Sequence, residues 1–153
     1  MRGARMSCAV ALALAFLPGV AAGQSGTDAL RGRFDRETDA VRKARLMPKL
    51  GEAQFAEIRE KVRAGQLPEA VATIEQYRTE AEASERGLDT LGVNAEKHPA
   101  GFKELEISVR ESLRRINEMV HGMAADEQQP FLETHKELSE MDQRLVQQLF
   151  PKR

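Results

Sequence analysis

From Phe102 to Met123, apolar side chains recur at alternating steps of three and four: Phe102, Leu105, Val109, Ile116, Met119 and Met123, with Ser112 keeping the step. Leu113 and Val120 widen the stripe. On a helix these positions share one face, while Lys103, Glu106, Glu111, Arg114 and Glu118 fall opposite. Such a helix must be covered by others, and the rest of the chain has the pattern to do it. Thr38 or Asp39 can cap a helix whose inner face carries Val41, Ala44 and Met47. Pro48 and Gly51 interrupt it, yet Phe55, Ile58 and Val62 resume the same spacing, so the pieces read as one kinked helix. Gly65 ends that helix, and Pro68 stands near the first position of the next, where a missing N–H costs nothing.

Leu67, Ala70, Ile74, Tyr77, Ala81, Ser84, Leu88 and Leu91 then keep a coiled-coil-like heptad step until Gly92 stops it. Val93 to Gly101 is the longest connection. Ala124 to Gln129 reads as a polar turn, with Pro130 in the first turn of the last helix. That helix turns Phe131, Leu138, Met141, Leu145 and Leu149 inward and stops at Pro151. The predicted fold is all-α, an antiparallel up-and-down bundle of four to five helices over residues 38–150. Glu82–Arg86, Glu106–Arg110, Glu111–Arg115 and Glu140–Arg144 have the spacing of pairs on solvated faces.

The N-terminus breaks this pattern. Arg2 and Arg5 precede an apolar run from Cys8 to Leu17, then Pro18-Gly19 and small residues from Val20 to Gly23. This is the layout of a secretory signal peptide over residues 1–23, cleaved after Ala22 or Gly23. The run is too short to span ~30 Å of hydrocarbon, so no integral membrane segment is expected after cleavage. Residues 24–37 are polar apart from Leu30 and Phe34 and read as a flexible linker able to fray into helix. Export gives a periplasmic or secreted protein without cysteine, stabilised by packing alone.

Charge narrows the function. Cleavage removes two of the 23 basic residues and moves the net charge from −1 to about −3. A weakly acidic exported chain lacks the electrostatic footprint for nucleic acid. The run Arg42, Lys43, Arg45 and Lys49 reads as a solvated face, with a binding patch as the sharper alternative. Glu118 and His121 form a single Glu-x-x-His pair, whereas a bundle metal site draws on two. His135 borders the last apolar stripe and could ligate haem with Met119, Met123 or Met141, though no Cys-x-x-Cys-His is present for attachment. No cysteine survives processing and no serine sits in a glycine elbow, so catalysis has no support.

Residues 50–62, LGEAQFAEIREKV, resemble the L-T-x-x-Q box of small periplasmic helical chaperones and metal-stress accessory proteins. Leu50 and Gln54 match, and Phe55 and Ile58 fall at that family's apolar positions. In such a box the Thr caps a helix and the Gln folds back on it; Gly51 stands here in place of the Thr, and residues 124–128 are only a degenerate second copy. Gly65, Leu67, Ala70 and Ile74 are also similar to the turn of one tetratricopeptide hairpin, without a second copy at about 34 residues. The sequence therefore reads as an exported, non-enzymatic helical bundle that binds other proteins, chaperone-like in its sharpest form. It calls for no catalytic, cofactor or metal residues and leaves homo-oligomerisation open. The competing reading is a small ligand, metal or haem carrier.

Overall fold

The computed structural model describes residues 21–152, with side chains from residue 26, so the apolar run of the expected signal peptide lies outside the described residues. Five helices and no strand occur among them: α1 (Ala21–Arg36), α2 (Ala40–Arg63), α3 (Leu67–Asp89), α4 (Phe102–Val120) and α5 (Ala125–Leu149). Asp39 caps α2 by accepting from the Arg42 N–H at 2.8 Å. At the start of α4, Gly101 takes φ 85°, and the Glu104 carboxylate accepts from its N–H at 2.7 Å. A Cβ on Gly101 would stand 2.7 Å from Leu88 and 3.2 Å from the Val41 backbone, so both conformation and space demand glycine.

Two expectations are corrected at this level. Residues 24–36 belong to helix α1 and are not a linker; Thr27 and Phe34 are buried, and the Lys43 ammonium lies 4.5 Å from the Phe34 ring centroid. Two apolar residues and a buried threonine suffice to seat a polar helix on a neighbour. α2 runs through Pro48 as the single helix that the spacing of Phe55, Ile58 and Val62 suggests, because Met47, Leu50 and Phe55 on either side are anchored in the core and packing overrides a local breaker. α5 begins at Ala125, earlier than the sequence suggests, and so places Pro130 inside it. Its start is supported by the Glu127 carboxylate accepting from the Ala124 N–H at 3.2 Å, and by two acids in the first turn facing the positive end of the helix dipole.

The packing order follows from cross-helix contacts. Gln54 meets Glu80 and Lys61 meets Thr73, so α2 and α3 are antiparallel. Arg78–Glu137, Arg144–Glu85 and Gln148–Asp89 advance together along both chains, so α3 and α5 are parallel neighbours. Arg45–Glu104 and the approach of Gly51 to Ser108 make α2 and α4 parallel as well. Two helical hairpins, α2–α3 and α4–α5, are thus stacked like on like, and the Val93–Gly101 connection carries the chain between them. Their buried positions correspond: Ala44, Met47, Gly51, Gln54 and Ile58 in α2 match Phe102, Leu105, Val109, Ser112 and Ile116 in α4. Ala70, Thr73, Tyr77, Ser84 and Leu88 in α3 match Phe131, Thr134, Leu138, Leu145 and Leu149 in α5. A hairpin pattern therefore does recur, but at a longer spacing than the tetratricopeptide period.

The inward stripes hold with two exceptions. Leu91 is exposed, beyond the end of α3. Glu106, expected on the solvated face of α4, is only 6% exposed because α5 covers that flank. Arg144 does not pair with Glu140; it reaches across to Glu85, donating to both carboxylate oxygens at 2.9 and 2.7 Å.

Candidate functional site

The site grows out of the 50–54 segment. Gly51 caps nothing; it lies inside α2, buried, where a Cβ would come within 2.8 Å of the Tyr77 ring and 3.3 Å of the Ser108 hydroxyl. Absence of a side chain lets Tyr77, on α3, pass beneath α2 and reach α4. There its hydroxyl shares a 3.0 Å hydrogen bond with Ser108 Oγ, and the Ser112 hydroxyl donates to the Ser108 carbonyl at 2.8 Å. Burial pushes the Tyr77 hydroxyl up to about 12, so it stays protonated and serves as a tie, not a base. The Tyr77 ring meets Phe55 edge to face at 5.4 Å, and the Arg115 guanidinium lies 5.9 Å from the Phe55 centroid.

Above this tie, α2 and α4 leave a groove of about 350 Å³ lined by Pro48, Gly51, Glu52, Ile107, Ser108, Arg110, Glu111, Ser112 and Arg115. Pro48 and Gly51 supply a wall with little side chain. Arg115 and Arg114 both donate to Glu111, whose carboxyl their hydrogen bonds hold down at about 2, so this rim stays charged. Ile107 contributes an apolar rim at 39% exposure. The lining mixes fixed charges, hydroxyls and one isoleucine, and contains no histidine. Such a surface can hold an extended segment of mixed polarity.

Gln54 is the other residue of the box with an unexpected role. It is 0% exposed, and its amide donates to Glu80 at 2.8 Å instead of folding back on a cap. Gln76 donates to the other oxygen of Glu80 at 3.2 Å, and Arg31 of α1 lies 3.4 Å from it. Burial nevertheless pushes the Glu80 carboxyl up. The network pins α1 to the α2–α3 hairpin.

The sequence-suggested ligands lie on or just beyond α4 and on α5. Glu118 pairs with Arg114, whereas the His121 ring bonds the Asn117 carbonyl. Met141 lies in the core and Met119 and Met123 are partly buried against it, while His135 is half-buried on α5. No group of three or more His, Cys, Asp or Glu placed to hold a metal occurs among the described residues. The groove itself escapes sequence reading, because it depends on how close two parallel helices approach. Gly51 was the available signal. Compared with protein-family models, curated proteins and solved structures, the chain finds no match.

Proposed function

We propose that the protein is exported and works by binding other proteins, as a chaperone-like or accessory factor of the envelope, with the α2–α4 groove as its contact surface. The observation that carries this reading is the groove's mixed lining: the exposed Ile107 beside the fixed charges of Arg110, Glu111 and Arg115, over a floor locked by the Tyr77–Ser108 bond. A non-native segment offers apolar and charged groups together, and a rigid amphipathic groove meets both without ordering itself first. Val93, Leu132, Val146 and Phe150 add exposed apolar area elsewhere on the bundle, with Phe150 71% exposed. Cleavage after Ala22 or Gly23 trims only the first residues of α1 and leaves Thr27, Leu30 and Phe34 in place.

Light scattering tests the binding reading. The mature chain should suppress aggregation of a test protein diluted out of urea, and Ile107→Asp, a surface change that keeps the helical circular dichroism, should remove most of that effect. Full suppression by Ile107→Asp would move the contact surface off the groove; none by the wild type would end the chaperone reading. N-terminal sequencing of periplasmic material should give Gly23 or Gln24, and an intact Met1 there would contradict cleavage.

A further inference from the structure

Opposite sides of the bundle carry opposite charge. The α2 helix holds seven Lys and Arg against three Glu, whereas α3 and α5 each hold six acids against two Lys or Arg. α4 is balanced, with four of each sign. Since α3 and α5 are neighbours, they form an acidic wall; α2, beside α4, gives the wall across the core its basic character.

Internal pairing does not cancel the difference. On the acidic wall, Arg78 lies between Glu82 and Glu137, Arg144 is held by Glu85, and Arg86 sits 3.8 Å from Glu82. Exposed Glu75, Glu133 and Glu140 are left without an ion pair among the described residues, against Lys136 alone. On the basic wall, Glu37 and Glu104 are taken by Arg42 and Arg45. Exposed Lys49 and Arg59 of α2 remain without an ion pair there, against Glu52 on the same helix. Each wall thus presents an excess that the other wall of a second molecule can match.

We infer that copies of this chain associate face to back, the Lys49–Arg59 surface of one on the Glu75–Glu133–Glu140 surface of the next. The contact joins two different surfaces, so it is heterologous, and each molecule offers one of each. Complementary charge aligns such surfaces, and salt weakens them as the screening length shrinks from ~30 Å at about 0.01 M to ~3 Å at about 1 M. Neither Lys49 nor Arg59 lines the groove, although both belong to the same α2–α4 side of the bundle.

Sedimentation equilibrium of the mature chain tests it. At low salt the average mass should rise with protein concentration, and at about 1 M salt it should return to that of a single chain, the association constant falling at least about tenfold. Lys49→Gln with Arg59→Gln removes one surface; Glu133→Gln with Glu140→Gln removes the other. Each double variant alone should remain monomeric, with unchanged circular dichroism. Their equimolar mixture should form a dimer and go no further, because only one intact surface of each kind remains. A wild type that stays monomeric at low salt overturns the inference. So does association that either double variant leaves intact, or a mixture that does not pair.

Discussion

Gly51→Ala sets two effects of opposite sign against each other. Inside a helix, alanine is favoured over glycine by about 0.8–1.0 kcal/mol, so propensity alone predicts stabilisation. The structure predicts otherwise: the new Cβ would lie 2.8 Å from the Tyr77 ring and 3.3 Å from Ser108 Oγ. Overpacking a filled site costs about 1–3 kcal/mol. Turning Tyr77 aside also endangers its bond to Ser108, and a buried hydroxyl left without a partner costs about 1–3 kcal/mol more. The clash exceeds the propensity gain, and a net loss of about 1–3 kcal/mol is expected, visible as a lower urea midpoint at unchanged slope. Gly87→Ala is the control. It is also helical, but its Cβ would meet only the Ala40 methyl at 3.5 Å, an ordinary contact. That substitution should raise the stability by about 0.5–1 kcal/mol, read as a higher midpoint. If both variants gained stability, Tyr77 would not pass beneath α2 and the floor assigned to the groove would be wrong.

Two further expectations follow from the same structure. Ile116 is fully buried at the centre of the α4 stripe, and Ile116→Ala should cost about 2–5 kcal/mol through lost burial and a residual cavity. Glu111→Ala, at the rim, should cost about 0.5 kcal/mol or less in the same urea titration, and equal midpoints would mean the faces are misassigned. Stability should also rise on mild acidification. Burial pushes the carboxyls of Glu80, Glu106 and Asp142 up, and the neighbouring Asp142 charge adds to the rise at Glu106. A carboxyl whose folded value lies above its unfolded one binds its proton better when folded, so the native state gains as pH falls through that value. Glu37 and Glu111 act the other way: hydrogen bonds from the Asp39 N–H and from Arg114, respectively, depress them, and their contribution is lost as pH drops below about 4.5. The urea midpoint should therefore climb as the pH is lowered from neutrality towards the ordinary glutamate value, about 4.5, and fall below it. Asp142→Asn should raise it at neutral pH and shrink the acid gain; a midpoint that declines steadily from neutrality would refute the assignment.

The sequence by itself determined the helices and most of their inner faces, because three-four periodicity is a local property that survives any arrangement of neighbours. Phe131, Leu138, Met141, Leu145 and Leu149 of α5 are all buried as the spacing requires, and so are Ala70, Ile74, Tyr77, Ala81, Ser84 and Leu88 of α3. Asp39 as a cap and Gly65 at a positive φ belong to the same local category. Tertiary structure alone decided the rest. Whether a polar segment such as α1 becomes a helix depends on what its few apolar residues find to cover, and whether Pro48 breaks α2 depends on the core on either side of it. Glu106 is polar by every local rule and is buried because α5 lies over it. The groove, the Tyr77–Ser108 tie beneath Gly51 and the two charged walls come from stacking the hairpins like on like. That choice brings α2 beside α4 and α3 beside α5, pairs that no spacing within one helix can announce, since their contacting residues are some 59 positions apart.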